Sequence, residues 1–428
     1  MIRTSATLSP TLPVGWFAAL GATALFGALT SAPAAHAAPL ACGQTVTTSV
    51  VLAADLLNCP GDGLVVGGSG ITIDLKGHTV DGVGLGVGIR NNGFANVTIT
   101  NSSTIPARIQ EFDYGVQLNP GTTGTIVEKL TVQNNEFSGV ELNNAHGNNR
   151  VRDNTIDRQA KTGVTVIGGS RENVITNNTI TANQGGGFLV QNSAANRLEG
   201  NRITGSGNAG LVLDGSGGNT LLANVIGGSS DSSIVLRAGS NGNVVQGNTS
   251  TRSADAGLNV SGSTGNRILS NILTGGGDSG IVLQSAHGST VTGNDVSGNT
   301  GGIDVSFSDN NLIRSNTANN TTGDGITLTQ SLNNTLELNQ AHRNNARGIY
   351  VVGDATAVTG NRLVGNTTNT NSGGGVFVSK AAHTLQGNTA RDNKGWGIYA
   401  DRGNVDGGSN RASNNTQSGQ CAGVACTP

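Results

Sequence analysis

Residues 154–166 read NTIDRQAKTGVTV, and residues 178–190 read NTITANQGGGFLV. Each segment opens with Asn, and nine residues later a Gly begins a tetrad of the form Gly-apolar-x-apolar. The pattern returns about every 23 residues, and a fixed period of 20 to 50 residues is typical of a solenoid. The clearest tetrads begin at Gly163, Gly187, Gly210, Gly257, Gly280, Gly325 and Gly397, and the matching asparagines are Asn154, Asn178, Asn201, Asn248, Asn271, Asn316 and Asn388.

Three short strands fit into each period. Within the tetrad, apolar residues alternate with a variable one, a period of two that belongs to a half-buried strand. A second apolar column lies three residues before the Asn, and a third lies two residues after it. Three strands divided by Gly and Asn turns predict one turn of a three-sided coil. The second column runs Val151, Ile175, Leu198, Leu221, Val245, Ile268, Val291, Ile313, Leu336, Leu363 and Leu385, and the third runs Ile156, Ile180, Ile203, Ile226, Ser250, Leu273, Val296, Ala318, Ala341, Thr368 and Ala390.

The asparagines form two columns of their own. One contains the residues that precede the tetrads, and the other lies five residues earlier, beginning at Asn149, Asn173 and Asn196. Stacked amides can hydrogen-bond from one rung to the next, as in cross-β ladders, and Asn tolerates the left-handed conformation of a sharp corner. We therefore interpret both columns as structural rather than as ligand-binding.

The chain resembles the right-handed parallel β-helix repeat proteins, the superfamily that includes pectate lyases and NosD-like proteins. Residues 70–82, GITIDLKGHTVDG, followed by Gly88-Ile-Arg and residues 96–101, NVTITN, are similar to the opening coils of secreted bacterial members. The resemblance covers roughly residues 60–415. It implies an all-β, single-stranded parallel β-helix of about 15 coils. Members of this superfamily include lyases, hydrolases, epimerases, adhesins and accessory proteins, so the fold leaves the function open.

The two ends of the chain indicate its destination. Arg3 precedes an apolar run that closes with Ala35-His36-Ala37, which is typical of a secretory signal with an A-x-A cleavage site. A membrane anchor is the alternative, although the run is short for a spanning helix. We therefore predict a signal peptide at 1–37, an N-terminal cap at 38–62, the β-helix at 63–415 and a C-terminal tail at 416–428.

Four cysteines lie in pairs at the two ends of the predicted solenoid, Cys42 with Cys59 and Cys421 with Cys426. In an oxidising compartment we interpret these pairs as two disulfides, although four cysteines allow three connectivities. The coils at the ends of a solenoid expose core and strand edges, where crosslinks are most useful. A metal site is the alternative interpretation.

Composition narrows the range of partners. The formal net charge is −2, and charged residues make up 12% of the chain, so there is no basic stripe of the kind that binds nucleic acid. No segment after the signal is apolar enough to span a membrane. We expect one elongated, secreted domain, and the near-neutral charge is compatible with a monomer.

An aromatic ladder is predicted near the C-terminal end. Tyr350, Phe377 and Tyr399 occupy the outward position of the tetrad strand, and Trp396 lies beside Tyr399. Neighbouring rungs are about 4.8 Å apart, so the rings can pack on one another or offer a platform to sugar rings. The insertion at residues 352–359 leaves from the same strand and is a candidate wall of a binding groove.

An acidic ladder is predicted from Asp231, Asp255 and Asp278, which occupy one column in three successive rungs. Closely spaced carboxylates need a cation or hydrogen bonds to offset their repulsion, and Ca²⁺ is the candidate, since uronate-cleaving β-helix lyases are known to use it. The alternative is an ordinary turn role, in which Asp caps backbone N–H groups.

Catalytic signatures are missing from the chain. We find no Asp-Asp pair or Asn-Thr-Asp signature of β-helix glycoside hydrolases, no Asp-Pro-His-Glu signature of alginate epimerases and no Ser/His/acid set. The histidines are scattered, which does not favour copper handling. We predict a secreted protein that binds a polysaccharide or cell-surface glycan, with cleavage or epimerisation as a further activity and no required cofactor. The alternative is a non-catalytic scaffold or adhesin-like solenoid.

Overall fold

The computed structural model describes residues 40–353, 359–380 and 382–428, so the predicted signal peptide and most of the insertion at 352–359 lie outside the described residues. Every ordered element in the described ranges is a β-strand. All strand pairings are parallel, and the strands of each coil belong in turn to three sheets, here called A, B and C. No helix in these ranges is long and apolar enough to cross a membrane.

Sheet A has 17 strands and sheet B has 16. The strands of sheet A are Gln44–Val46, Leu64–Val66, Val87–Asn91, Tyr114–Leu118, Ser138–Asn143, Thr162–Ile167, Phe188–Gln191, Leu211–Asp214, Ile234–Arg237, Leu258–Ser261, Ile281–Gln284, Ile303–Ser306, Ile326–Thr329, Ile349–Val352, Val376–Val378, Ile398–Ala400 and Cys421–Ala422. The strands of sheet B are Val50–Val51, Thr72–Asp74, Thr98–Thr100, Ile126–Glu128, Arg150–Arg152, Val174–Thr176, Arg197–Glu199, Thr220–Leu222, Val244–Gln246, Arg267–Leu269, Thr290–Thr292, Leu312–Arg314, Thr335–Glu337, Arg362–Val364, Thr384–Gln386 and Val405–Asp406.

Sheet C is divided into a 10-stranded and a 4-stranded part, joined by single bridges at Asp295, Thr317 and Gln340. The first part contains Leu56–Cys59, Thr79–Gly82, Ala107–Gln110, Leu130–Gln133, Thr155–Asp157, Thr179–Thr181, Arg202–Thr204, Val225–Gly227, Thr249–Thr251 and Ile272–Thr274. The second part contains Thr367–Asn369, Thr389–Arg391, Asn410–Ser413 and Cys426–Thr427.

The core lies between the three sheets, and the predicted apolar columns line it. In sheet A, Val140 pairs with Val164, and the column continues through Phe188 and Leu211. Ile175 of sheet B and the inward residues of sheet C are likewise buried. Because the side-chain period of a strand is two, this register places every second residue of each strand on the outer surface. The predicted parallel β-helix is thus confirmed.

The tetrad glycines are required by close packing between sheets A and C. A Cβ atom added to Gly163 would lie 2.6 Å from the side chain of Ile180 and 2.7 Å from the carbonyl oxygen of Gly187. Both distances are well below van der Waals contact. The glycine column therefore leaves room for the large inward residues of sheet C to pack against the backbone of sheet A.

The two predicted asparagine columns form hydrogen-bonded ladders, and in the column that begins at Asn149 the amides give way to Ser289 and His383. The Nδ2 of buried Asn178 donates to Oδ1 of Asn201 in the next coil at 3.0 Å, and to the carbonyl oxygen of Val151 at 2.9 Å. Its Oδ1 accepts from the backbone N and the Nδ2 of Asn154 in the preceding coil. Such an amide satisfies backbone groups at the corner and links neighbouring coils, whereas Nδ2 of Asn266 is buried without a partner among the described residues.

The left-handed residue, however, lies one position before each ladder amide. Asp153, Asn177 and Ala223 have φ values of 57°, 55° and 52°, and each precedes a ladder asparagine. The prediction that the ladder asparagines themselves adopt this conformation is wrong. The preceding residue turns the chain at the corner, and the turn directs the side chain of the following Asn into the interior.

A third amide ladder lies at the remaining corner of the coil and was not predicted. Asn344, Asn371, Asn393 and Asn415 are buried, and in each step a backbone N–H donates to the Oδ1 of the next coil at 2.9–3.0 Å. In the middle of the chain small hydroxyl residues such as Ser229 and Ser253 take these positions. This interruption hides the column from a search for repeated Asn.

Strand pairing continues into both terminal segments, which accounts for more strands in sheet A than the predicted number of coils. The strand at 44–46 pairs with 64–66, and Cys421 and Cys426 lie in strands that pair with 398–400 and 410–413. The predicted disulfides are confirmed, Cys42–Cys59 within the first coil and Cys421–Cys426 within the last. Disulfides persist in oxidising compartments, so they fit a periplasmic or extracellular location.

Candidate functional site

The outward side chains of sheet A form a column whose chemical character changes along the solenoid. It is polar near the N-terminus, aliphatic in the middle and aromatic near the C-terminus. The outward residues are Arg90, Gln117, Glu141, Thr165, Leu189, Val212, Val235, Asn259, Val282, Asp304, Thr327, Tyr350, Phe377 and Tyr399.

The structure places the predicted aromatic ladder together. The ring centroids of Phe377 and Tyr399 are 4.7 Å apart with an interplanar angle of 14°, and those of Tyr350 and Phe377 are 5.7 Å apart at 60°. Trp396 lies 6.2 Å from Tyr399. Stacking along the solenoid turns the ring faces of Phe377 and Tyr399 towards each other rather than towards solvent.

Arg347 covers the other end of this ladder, and sequence reasoning missed it. Its guanidinium carbon lies 3.3 Å from the centroid of the Tyr350 ring, and its Nε and Nη2 each donate to the carboxylate of Asp324 at 2.9 Å. A sugar platform needs free ring faces, so the geometry favours packing for these aromatics. Sugar binding by Tyr350, Phe377, Trp396 and Tyr399 stays a prediction.

Two of the three aspartates of the predicted acidic ladder accept hydrogen bonds from Ser232, one within a turn and one between coils. Asp231 Oδ1 accepts from the backbone N of Ser232 at 2.7 Å, and Asp255 Oδ2 accepts from the Ser232 hydroxyl at 2.6 Å. Asp278 is exposed. In the described part of the chain no three His, Cys, Asp or Glu side chains are grouped as a metal ion would require. These contacts favour the turn role, and a Ca²⁺ site at Asp231, Asp255 and Asp278 stays a prediction.

A shallow groove of about 300 Å³ lies on the edge of sheet A between coils that carry larger side chains. Gly185 and Gly186 leave space for the groove because they have no side chains. At the position of Gly185, the coils on either side carry the larger residues Lys161 and Asn208. Its floor is aliphatic, and exposed Lys161 and Arg237 stand at its two ends. The lining residues are Lys161, Thr162, Gly185, Gly186, Phe188, Leu189, Asn208, Ala209, Val212 and Arg237.

The two cations of the groove differ in their surroundings. The guanidinium of Arg237 is paired with the carboxylate of Asp214 at 2.9 Å. The ammonium of Lys161 lies 4.3 Å above the Phe137 ring, which stacks on Tyr114 at 5.3 Å. The cation at this end is held by an aromatic face rather than by a carboxylate, so the Lys161 end of the groove favours an anionic group.

A chain of polar side chains ends at Glu141, one coil before the Lys161 end of the groove. Arg90 is held by two hydrogen bonds of 2.7 Å to Asp62 and donates from Nη1 to Gln117 Oε1 at 2.9 Å. Gln117 Nε2 then donates to Glu141 Oε1 at 2.9 Å. The repeat places Gln117 and Glu141 in the outward column, but the contacts that connect them to Asp62 span four coils and have no local signal.

Among the carboxyl groups in the described ranges, that of Glu141 belongs to the most buried residue, with 5% of the residue exposed. Burial raises its pKa, against the hydrogen bond from Gln117, which lowers it. Burial also raises the pKa of Tyr114, and the charges of Glu141 and Asp113 add to that shift. Perturbed titratable groups beside a groove are typical of functional sites.

The sequence model described as "Periplasmic copper-binding protein (NosD)" matches residues 46–235, so copper was tested against the side chains of this segment. Copper sites combine His, Met or thiolate ligands. Here Cys42 and Cys59 form a disulfide, and His78 is hydrogen-bonded to Asp55 at 3.0 Å. The only Met of the chain is Met1. With no grouped ligands among the described residues, the segment does not fit a copper centre.

Several solved structures are similar to this chain at low sequence identity. The A-module of mannuronan C-5 epimerase AlgE4 from Azotobacter vinelandii is 14% identical, with a TM-score of 0.45, over 81% of this chain and 86% of that one. DFA-IIIase from Arthrobacter chlorophenolicus A6 is 13% identical, with a TM-score of 0.43, over 67% and 81% of the two chains. An alginate lyase from Paenibacillus sp. str. FPU-7 is 18% identical, with a TM-score of 0.35, over 54% and 88%.

No curated protein sequence matches the chain. The sequence model described as "Right handed beta helix region" matches residues 167–306 and 283–385, which together span about half of the chain. The match agrees with the parallel coils, the inward columns and the amide ladders described above. The chain therefore belongs to the right-handed β-helix family.

Proposed function

We propose that the protein is secreted and binds an extracellular polysaccharide along the outer face of sheet A, with part of the polymer in the groove between Lys161 and Arg237. The main observation that supports this binding mode is the groove itself. It combines an aliphatic floor at Leu189 and Val212 with polar groups at its rim, and this combination suits sugar rings, which have apolar faces and hydroxyl edges. Its volume is at the lower end of the range for ligand pockets, about 300–1,000 Å³.

The charges at the groove favour an acidic polymer over a neutral one. The Lys161 ammonium lies over an aromatic ring rather than against a carboxylate. Glu141, the buried acid nearby, has a raised pKa because of its burial and is therefore less repulsive to an anion than an ordinary glutamate. A uronate or sulfated polysaccharide is the expected ligand class.

Affinity measurements on purified protein with uronate, sulfated and neutral polysaccharides test this function. A negative charge on the groove floor, Leu189→Glu, should weaken binding of an acidic polymer at least tenfold, because the charge faces the bound anion. The matched control is Ile272→Glu, a similar change at an exposed residue of sheet C, and it should leave binding unchanged. Equal losses in both variants, or in neither, would contradict the proposed site.

The same preparations distinguish an enzyme from a scaffold. Release of shortened or epimerised product identifies a catalytic protein, whereas tight binding without turnover identifies the scaffold. Repeating the assay with Ca²⁺ and with a chelator tests the predicted ion requirement. In that comparison Asp255→Asn should lower activity only if the acidic ladder holds Ca²⁺.

A further inference from the structure

Glu141 is a buried carboxyl group in the outward column of sheet A, between Gln117 and Thr165, which are also buried. It lies in the strand Ser138–Asn143, in register with Gln117 of the preceding coil and Thr165 of the following one. The inward residues of this strand, such as Val140, already fill the core. The interior packing therefore does not account for a carboxyl group at this position.

The hydrogen bonds around Glu141 determine which of its oxygens can carry a proton. Arg90 has only donors, and Asp62 holds it in place so that it donates to Gln117 Oε1. Asn119 Nδ2 donates to the same oxygen at 3.2 Å. The amide nitrogen of Gln117 must then face Glu141, and it donates to Oε1 at 2.9 Å.

Oε1 of Glu141 is thus an acceptor in either protonation state. A proton on this carboxyl group has to be carried by Oε2. This oxygen has no hydrogen-bond partner in the described part of the chain, and it retains some exposure to solvent. Neutral Glu141 consequently presents an O–H donor at the surface beside the groove. Ionised Glu141 presents a negative charge at the same point.

The charged groups around Glu141 influence the pH at which its carboxyl group ionises. Asp113 and Tyr114 belong to the preceding coil, and Lys161 belongs to the following one, over the Phe137 ring. Arg90 is already neutralised by Asp62. Burial is the main influence on the pKa of Glu141, and it raises that pKa.

We propose that Glu141, through the proton on Oε2, is a hydrogen-bond donor to an anionic polysaccharide on sheet A, so that the protein holds this ligand under acidic conditions and releases it as Glu141 ionises. The proposal rests on the function proposed above and adds a pH-dependent switch to the same site. Its chemistry is simple, since one group changes from a donor of a hydrogen bond into a charge that repels the ligand.

The test is the affinity for a uronate polymer between pH 5 and pH 8, measured by calorimetry. Wild-type affinity should fall at least tenfold over this range. Glu141→Gln keeps a donor that cannot ionise, so its affinity should vary less than threefold. The control is Glu172→Gln, at an exposed residue away from the groove, and its profile should follow the wild type.

A second measurement reports on Glu141 without any ligand. Because its pKa is raised in the folded state, Glu141 contributes stability below the unfolded value near 4.5, and this contribution is lost as the pH rises through the folded pKa. Glu141→Gln should therefore stabilise the protein at pH 8 relative to pH 4, in urea denaturation. No change in that difference would contradict a neutral Glu141.

The outcomes separate the two proposals. Absence of binding at every pH overturns the proposed function and this inference with it. Binding whose pH profile is the same in wild type and Glu141→Gln overturns the role of Glu141 alone. A wild-type affinity that does not change with pH also overturns the role of Glu141.

Discussion

At the scale of the residue, the asparagine side-chain amide makes hydrogen bonds of the kind that backbone groups make in an ordinary sheet. Asn224, which is buried, accepts at Oδ1 from the backbone N of Asn201 and donates from Nδ2 to the carbonyl oxygen of Leu198. A buried polar group left without a partner costs about 1–3 kcal/mol. Neither an apolar residue nor an Asp can supply both a donor and an acceptor, which explains why the columns retain Asn over so many coils.

His383 tests this reasoning, because it replaces Asn in the second column. The backbone N of Asn361 donates to its Nδ1 at 3.3 Å, and its own backbone N donates to Asn404 Oδ1 at 2.8 Å. Its Nε2 is buried without a partner among the described residues. Burial lowers the pKa of the imidazole below its ordinary 6.5, so the neutral form is the one that fits the ladder.

Stability should accordingly depend on pH through His383. A lowered folded pKa means that the unfolded chain binds the proton more readily, so stability is present above pH 6.5 and is lost as the pH falls below it. We expect the urea midpoint to fall between pH 7 and pH 5. His383→Asn should reduce that fall and add about 1 kcal/mol at pH 7 by restoring an amide hydrogen bond. His342, whose pKa is also lowered by burial and by Arg343, accounts for a remaining dependence.

At the scale of the element, each coil is a set of matched positions rather than three independent strands. Most coils combine a Gly in sheet A with a larger inward residue in sheet C. One coil has Ser233 in the glycine column, and the inward residue of sheet C beneath it is Ser250. The two buried hydroxyls are hydrogen-bonded at 2.7 Å. Two departures from the repeat thus compensate each other across the core.

This pair predicts a strong dependence of one substitution on the other. Ser250→Ile alone should destabilise by about 1–3 kcal/mol, because the added methyl groups meet the Cβ of Ser233. Ser233→Gly alone should cost a similar amount, since it leaves the Ser250 hydroxyl buried without a partner. The double variant restores the pattern of the other coils and should be at least as stable as wild type, in a double-mutant cycle by urea denaturation. Additive losses would show that the two residues do not act as a unit.

At the scale of the whole molecule, the core becomes thinner towards the C-terminus. The inward column of sheet C carries Ile156 and Ile180 in the first half of the chain and ends with Ala390 and Ala412. Solenoid stability is approximately a sum over coils and their contacts with neighbours. An Ile-to-Ala difference in a core corresponds to about 2–5 kcal/mol per site. The late coils therefore contribute less hydrophobic stabilisation, and their aromatic ladder and third amide ladder compensate only in part.

Hydrogen exchange should reveal this gradient. Amides of the strands between residues 312 and 391 should exchange faster than those between 150 and 227, because opening the thinner coils costs less free energy. Reducing the Cys421–Cys426 disulfide should accelerate exchange at the C-terminal end first. Uniform protection along the chain would contradict the proposed gradient.

The repeat in the sequence was sufficient to predict the parallel coil, the inward columns, the two amide ladders and both disulfides. The ladders and columns depend on residues one period apart, which a parallel register brings into contact, whereas each disulfide joins cysteines only 17 or 5 residues apart in the chain. The third ladder was missed because Ser interrupts it, and the left-handed corner residues were misplaced by one position because Asp153 and Ala223 share no residue type. The candidate site was predicted less well, since Lys161 and Glu141 look like ordinary surface residues in the chain.

By itself, then, the sequence determined the architecture of this protein, because a short period repeated many times leaves one way to bury its apolar columns. Only the tertiary structure decided which exceptions to the repeat act together. The groove at Gly185 and the contacts of Glu141 join side chains from separate coils, and their distances depend on the stacking of whole coils rather than on any local pattern. The same stacking turned the faces of Phe377 and Tyr399 towards each other and made Lys161 and Glu141 the stronger candidates for function.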